Sequence, residues 1–95
     1  MTVKILIKRT VPDDKEKELM PLLKELRNLG VNQPGYISGE TLKNVDNPNE
    51  VLVISTWRSA IDWNEWVRND KRREIQDQID FLLQAITEYN VYDYV

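Results

Sequence analysis

Apolar and polar residues alternate at the start of the chain, and this alternation predicts a β-strand from Val3 to Thr10. Successive side chains of a strand point to opposite faces, so one face of this strand is apolar and the other is mixed. The apolar face consists of Val3, Ile5 and Ile7, and the mixed face of Lys4, Leu6 and Lys8. The pattern therefore predicts a core on one side of the strand.

The spacing of the apolar residues becomes helical after Pro12. Four leucines fall at positions i, i+3, i+4 and i+7, which places them on one side of a helix: Leu19, Leu22, Leu23 and Leu26. We expect Asp13 to cap the start of this helix with Glu16 completing a capping box, and Gly30 to cap its end. Pro21 lies inside the pattern and is expected to kink the helix or to remove a hydrogen bond.

Two further strands are predicted, from Tyr36 to Val45 and from Val51 to Arg58. The turn residues Asp46–Asn49 join them into a hairpin, and a Pro34-Gly35 turn precedes the first strand. Gly39 interrupts the first strand and marks a bulge or a close approach of another group. The second strand is apolar on both faces, as expected for a strand that is covered on two sides.

Two helices follow the hairpin. Ser59 and Asp62 are typical of a helix start, and Trp63 and Val67 would then lie on the inner face of a short helix. A longer helix is predicted after Asn69. Its apolar residues recur at helical spacing: Ile75, Ile79, Leu82, Leu83 and Ile86.

Alternation returns from Glu88 to Val95 and predicts a fourth strand. The order is then β-α-β-β-α-β with the second helix divided in two. This order is typical of the ferredoxin-like α+β fold, in which a four-stranded antiparallel sheet has helices on one face. The length of 95 residues suits one domain, so we expect residues 1–95 to form a single domain.

The face of the sheet without helices is expected to be too apolar for open water. It would carry Leu6, Lys8, Leu52 and Ile54 or their register partners, with aromatic residues from the last strand. Either a second copy of the sheet packs on this face in a symmetric homodimer, or a ligand fills part of the space, and both can hold at once.

Composition excludes several kinds of chemistry. The chain has no cysteine and no histidine, so disulfides, thiolate nucleophiles, thiolate metal sites and histidine-based proton transfer are absent. A net charge of −3 gives no general attraction to nucleic acid. The basic residues Lys71, Arg72 and Arg73 point around a helix and are interpreted as solvated charge. No apolar run is long enough to span a membrane, and we expect a cytoplasmic protein.

Five segments of the chain resemble the antibiotic biosynthesis monooxygenase family of the dimeric α/β-barrel superfamily. The segments are VKILIKRTVP, QPGYISGE, DNPNEVLVISTWRS, DWNEWV and TEYNVYDY, and the resemblance covers essentially the whole chain. It implies that two sheets face each other across a homodimer and that each protomer holds a small pocket between sheet and helices. The superfamily includes cofactor-independent monooxygenases, haem-degrading enzymes and isomerases, so the fold alone does not select the activity.

The resemblance disfavours haem degradation. The haem-degrading branch has an asparagine near the end of the first strand, a tryptophan on the short helix and a histidine ten residues later. This chain has Lys8, Trp66 and Gln76 at those positions, so only the tryptophan is retained. The histidine that would bind iron is missing, and neither a cofactor nor a metal is expected.

Cofactor-independent oxygenation remains compatible with these residues. A deprotonated phenol or quinol can pass an electron to O2 when a dry pocket stabilises its anion. We expect Lys8 or Arg9 to hold that anion and Trp66 to form a wall of the pocket. Further lining is expected from Trp57, Tyr36, Glu40 and Gln76, and Tyr89, Tyr92 and Tyr94 are additional aromatic candidates.

The partners implied are therefore a small aromatic or quinol-like substrate, O2 and a second copy of the chain. Two other interpretations stay open: a non-catalytic dimeric module that binds a small molecule or serves in a stress response, and an isomerase of a small carbonyl metabolite. The tryptophans and Lys8 also have structural interpretations, as core residues and as an ion-pairing residue at the dimer interface.

Overall fold

The computed structural model describes residues 1–95, which form four strands and three α-helices. The elements follow the predicted order: β1 (Val3–Thr10), α1 (Glu16–Gly30), β2 (Tyr36–Lys43), β3 (Glu50–Trp57), α2 (Ala60–Val67), α3 (Asp70–Leu83) and β4 (Glu88–Asp93). A short 3-10 helix, Asp13–Lys15, precedes α1.

The strands form one antiparallel sheet in the order β2-β3-β1-β4. The register places Ile7 of β1 opposite Val53 of β3 and opposite Tyr89 of β4. These residues share the face on which the helices pack, and alternation along the strands fixes the other side chains on that face. The predicted ferredoxin-like fold is thus confirmed, with the core on the helix side of the sheet.

The start and the end of α1 differ from the prediction. Asp13 lies in the 3-10 helix, and α1 begins at Glu16 without a side-chain cap, so the predicted Asp13 capping box is wrong. Gly30 is the last residue of α1 and not a left-handed cap, because Val31 continues in a right-handed conformation. Pro21 lies inside α1 as predicted.

The leucine side of α1 packs against α3. Leu19 is almost completely buried, and it forms a core cluster with Val11, Ile75 and Ile79. A second cluster lies between the sheet and α2: Val3, Ile5, Ile7, Trp57, Trp63 and Trp66. Because α1 is directed toward α3, space remains between α1 and the strands β2 and β3.

The hairpin strands are displaced by one or two residues from their predicted ends. The strand β2 stops before Asn44, whose side chain begins the turn. Its Oδ1 accepts hydrogen bonds from the backbone N–H groups of Asp46 and Asn47, at 2.8 and 3.1 Å. Its Nδ2 also donates to Glu50 Oε2 at 3.0 Å, which holds the loop against β3. Val45, predicted as the end of β2, therefore lies outside the ladder.

The predicted start of α2 at Ser59 and that of α3 after Asn69 are confirmed, and both residues cap their helices. Ser59 Oγ accepts a hydrogen bond from Asp62 N–H at the start of α2, and Asn69 Oδ1 accepts one from Arg72 N–H at the start of α3. The helix α3 ends at Leu83, and Gln84 adopts a left-handed conformation with φ 52°. Ile86 therefore lies beyond the helix, is exposed, and does not belong to the predicted stripe.

The face of the sheet without helices carries the expected apolar residues. Leu6, Leu52 and Ile54 adjoin one another in the register and are only half-buried, and Tyr92 of β4 is half-exposed beside them. Lys8, opposite Leu52, is exposed on the same face. We call this the outer face of the sheet. None of the helices has the length and apolar character that would carry the chain across a membrane.

Candidate functional site

A cavity of about 1000 Å³ occupies the space between α1 and the helix side of β2 and β3. Ligand pockets commonly enclose roughly 300–1,000 Å³, so this cavity can accept a polycyclic aromatic molecule. Its floor is formed by Ile7 and Arg9 of β1 and by Val11, which follows β1, and its inner end by residues of α2, α3 and β4. All the strands and helices of the fold therefore contribute to its lining.

Aromatic rings form one wall of the cavity, centred on Trp57 at the end of β3. Trp57 stacks on Trp66 with ring centres 6.3 Å apart. Tyr36 and Trp63 meet Trp57 edge-on, with their ring centres 5.5 and 5.7 Å from its own. Tyr89 extends the wall by an edge contact with Trp63 at 5.5 Å. The three tryptophans are at once core residues and lining of the cavity, so the two interpretations of these residues are not exclusive.

Arg9 is the cation of β1 that faces the cavity. Its side chain is buried and has one hydrogen bond, from Nη2 to Gln76 Oε1 at 3.4 Å. Its Nε is buried without any partner. Burial lowers the pKa of Arg9 from its ordinary value, with a smaller contribution in the same direction from Arg72, while Tyr89 and Asp80 oppose this effect. A buried cation with unused donors is equipped to bind an anion.

Gln76 links Arg9 to a hydrogen-bonded group at the end of α3. Its Nε2 donates to Asp80 Oδ1 at 2.8 Å and to Thr87 Oγ1 at 2.7 Å, and Thr87 Oγ1 donates to Asp80 Oδ1 at 2.6 Å. Since both donors of the amide are used on that side, its oxygen faces Arg9. Gln76 thus presents a fixed amide to the cavity.

Arg72 is a second buried cation, and the prediction that it is solvated is wrong. Only 5% of its surface is exposed. Its Nη1 donates to the carbonyl oxygen of Val67 at 3.2 Å and its Nη2 donates to the hydroxyl of Tyr89. Its guanidinium also lies 4.9 to 6.0 Å from the ring centres of Tyr89, Trp63 and Trp66.

The helical spacing contained a signal for Arg72. It lies three, four and seven residues before Ile75, Gln76 and Ile79, all of which are buried, so it belongs to the inner stripe of α3. The neighbouring Lys71 and Arg73 are exposed, as the interpretation of this basic run expected. For Arg72, helical spacing relative to the buried residues of α3 is therefore a better guide to burial than the charge of the side chain.

Tyr89 lies close to both cations and bonds one of them. It is held by the hydrogen bond from Arg72, and burial raises its pKa, although the charges of Arg72 and Arg9 act in the opposite direction. The phenol is therefore neutral at physiological pH. Its hydroxyl can accept the bond from Arg72 and still donate a hydrogen bond to an anion.

The cavity brings together most of the residues that the sequence singled out. It is lined by Arg9, Tyr36, Trp57, Trp66 and Gln76. Lys8 does not line it and lies on the outer face, exposed, opposite Leu52. Glu40 touches the rim but is exposed, and its pairing with Ile54 assigns its side chain to the outer face.

The charges of Arg9 and Arg72 have no direct ionic partner. The two ion pairs of the structure are on the surface, between Arg58 and Asp62 and between Arg68 and Glu65. No group of three or more carboxylates that could hold a metal ion lies together. The site is thus a deep aromatic cavity with two buried guanidinium groups.

The family model of the antibiotic biosynthesis monooxygenases matches residues 2–78. The chain is 26% identical over 69 residues to the 42.8 kDa protein in the whiE locus of Streptomyces coelicolor. The aligned residues cover 73% of this chain and 17% of that protein. It is 22% identical over 73 residues to protein SchA of Streptomyces halstedii, covering 77% of this chain and 19% of SchA. The chain thus spans less than a fifth of the length of these relatives.

Solved structures share the whole fold. A conserved protein from Methanosarcina mazei Go1 superposes with a TM-score of 0.91 at 23% identity, covering 100% of this chain and 94% of that protein. SnoaB from Streptomyces nogalater, a cofactor-independent oxygenase, superposes with a TM-score of 0.84 at 15% identity, covering 99% and 93%. At these identities the likeness establishes the fold, whereas the family model establishes descent. The chain belongs to the antibiotic biosynthesis monooxygenase family.

Proposed function

We propose that this protein is a monooxygenase that oxidises an electron-rich aromatic, phenol or quinol with O2 and without metal or flavin. The observation that carries the proposal is the cavity itself, which is lined both by the buried Arg9 guanidinium and by a wall of tryptophans. Family membership and the fold shared with SnoaB support the same reaction class.

The residues of the cavity would favour the ionised substrate. A phenol that binds next to Arg9 loses its proton more readily, because the nearby positive charge stabilises the anion. The electron-rich anion can then pass an electron to O2. For an anthrone, which is the keto form of such a phenol, the net reaction converts a ring CH2 group into a carbonyl group: one atom of O2 enters the product and the other leaves as water with the two hydrogens.

The aromatic wall would position the substrate. Trp66 presents its ring to the cavity and is stacked on the fully buried Trp57, so its orientation is fixed. A flat substrate ring can pack against this surface with its anionic oxygen directed to Arg9. Exclusion of water from this region strengthens the interaction between the two charges.

We also propose that the protein is a homodimer formed through the outer face of the sheet. Leu6, Leu52 and Ile54 form an apolar surface there that no helix covers. Packing of a second copy on this surface would remove it from water.

Oxygen uptake with a panel of anthrones and quinols, in metal-free buffer with a chelator, tests the reaction. We expect Arg9→Gln to lower kcat/KM by roughly 100-fold, the usual effect of removing one group that stabilises a developing anion. Trp66→Ala should lower it as well. Lys8→Ala serves as the control, because Lys8 does not line the cavity. Absence of uptake by the native protein, or equal rates in all the variants, would refute the proposal.

Non-catalytic binding of a small molecule is the second candidate, and one observation favours it. The chain has no histidine or cysteine, so no side chain of the cavity has an ordinary pKa between 5 and 8 with which to take up a proton. The same fact weighs against an isomerase. A ligand that raises the melting temperature and is recovered unchanged under O2 would support the binding module.

A further inference from the structure

The two buried arginines of the cavity form one group on the inner side of α3. Arg9 contacts Gln76, and Arg72 precedes Gln76 by four residues on the same helix. Four residues of an α-helix rise about 6 Å, so both guanidinium groups meet the same stretch of the cavity wall. Tyr89 lies beside both of them.

The partners of these cations in the protein are nearly all neutral. Arg72 donates to a carbonyl oxygen and to a neutral phenol, and Arg9 donates to an amide. Asp80 is the carboxylate that acts on Arg9, but it is not in ion-pair contact with it and its Oδ1 already accepts two hydrogen bonds. Arg9, Arg72 and Asp80 together therefore leave one positive charge uncompensated inside the protein.

Buried cations are ordinarily paired with an anion, because an unpaired charge loses its hydration without a replacement. The rings around Arg72 compensate part of this loss, but they supply no negative ion. Arg9 has no ring contact of this kind, and its buried Nε is without a partner. Arg9 is thus a buried cation to which the protein supplies neither an ion pair nor an aromatic ring.

We infer that the cavity binds aromatic acids, with a carboxylate of the ligand placed between Arg9 and Arg72 and its ring against Trp66. This inference builds on the cavity of the proposed function and adds a charged group as a required part of its ligand. A carboxylate fits the site better than a phenolate, because its two oxygens can each accept a bond from a planar guanidinium. The hydroxyl of Tyr89 supplies a further donor.

The decisive experiment compares two ligands that differ only in charge and cannot be oxidised as phenols. These are 2-naphthoate and 2-naphthamide, whose binding is measured by calorimetry at pH 7.5. We expect the native protein to bind the acid at least about 10-fold more tightly than the amide, as for a charge-assisted bidentate contact. Equal affinities for the two ligands would overturn the inference.

Variants assign the preference to the two arginines. In Arg72→Gln and in Arg9→Gln the affinities for the acid and for the amide should differ by no more than about 2-fold. The loss of one charge-assisted contact is expected to remove a factor of about 10, which is the preference expected of the native protein. Arg73→Gln is the matched control, because Arg73 is the exposed neighbour of Arg72 and carries the same charge. An equal loss in Arg73→Gln would mean that only the overall charge matters, and would overturn the inference. If a variant does not fold, as judged by circular dichroism, the ratio for the native protein decides alone.

The outcome is independent of turnover. Tight binding of 2-naphthoate by a protein that consumes no O2 supports the acid site and contradicts the monooxygenase. Oxygen uptake with neutral anthrones by a protein that does not prefer the acid supports the monooxygenase and contradicts the acid site.

Discussion

Gly35 is the residue on which the junction between the hairpin and α2 depends. It has φ 87° in a turn closed by the hydrogen bond from Tyr36 N–H to the carbonyl oxygen of Gln33. A Cβ atom at this position would lie 2.4 Å from Asp62 Oδ2. Both the backbone conformation and the space therefore require glycine.

We expect Gly35→Ala to lower the free energy of unfolding by roughly 2 kcal/mol or more, from backbone strain and overpacking together. Urea denaturation measures the change. Gly39→Ala is the comparison, because a Cβ there meets only the hydroxyl end of Tyr36, at 2.7 Å, which can move aside. Gly39→Ala should cost less, and an equal loss in the two variants would contradict this assignment.

Single residues also show where the sequence was sufficient and where it was not. The Pro34-Gly35 turn is predictable because its conformation is local. The burial of Arg72 depends on rings of Trp63, Trp66 and Tyr89 that only tertiary packing brings together. The sequence indicates that Arg72 lies on the inner side of α3, but it does not indicate which rings surround it.

At the scale of elements, the cap of α2 supports the aromatic wall. Ser59 Oγ accepts a hydrogen bond from Asp62 N–H at 3.2 Å and donates one to Asp62 Oδ2 at 3.0 Å. The helix that these bonds begin is only eight residues long and carries both Trp63 and Trp66. The cap therefore helps to position the two tryptophans that α2 contributes to the wall.

Ser59→Ala is expected to lower the free energy of unfolding by about 1 kcal/mol, the usual cost of losing an N-cap. Thermal unfolding followed by circular dichroism measures it. Asp13→Ala provides the contrast, because Asp13 makes no capping hydrogen bond. A loss in Asp13→Ala as large as that in Ser59→Ala would argue against this account of the two helix starts.

The bounds of the elements were predictable where a local signal sets them. Ser59 caps α2 as the sequence indicates, and Asn69, after which the sequence predicts a helix, caps α3. The end of β2 was not predictable, because Asn44 uses its side chain to bond the loop and withdraws Val45 from the ladder. The strand-like sequence pattern continues to Val45, whereas β2 ends at Lys43.

At the scale of the molecule, the outer face tests the proposed homodimer. We expect Ile54→Lys to raise the dissociation constant of the dimer by at least about 10-fold, because the symmetric interface would bury the new charge twice. Sedimentation velocity over a range of concentrations measures it. Phe81→Lys is the control, since Phe81 is equally apolar but exposed on α3. Dissociation by Phe81→Lys and not by Ile54→Lys would place the interface on the helices.

The arrangement of sheet and helices could be predicted, but the cavity could not. Strand and helix patterns specify which faces are apolar, and both apolar faces were assigned correctly. The volume between α1 and the sheet depends on Leu19 packing against Ile75 and Ile79 of α3, a contact between distant segments. No local sequence pattern indicates how much space this packing leaves between α1 and the sheet.

The junction at Gly35 has a mechanical consequence for the cavity. The carbonyl oxygen of Gly35 accepts a hydrogen bond from Arg58 N–H at 2.7 Å, so β2, β3 and α2 are clamped together at the aromatic wall. α1 closes the opposite side of the cavity and is packed against α3. The aromatic side of the cavity is thus tied to the sheet by a backbone hydrogen bond, whereas α1 is held by the packing of side chains on α3. We therefore expect a ligand too large for the cavity to shift α1 and to leave the aromatic wall in place.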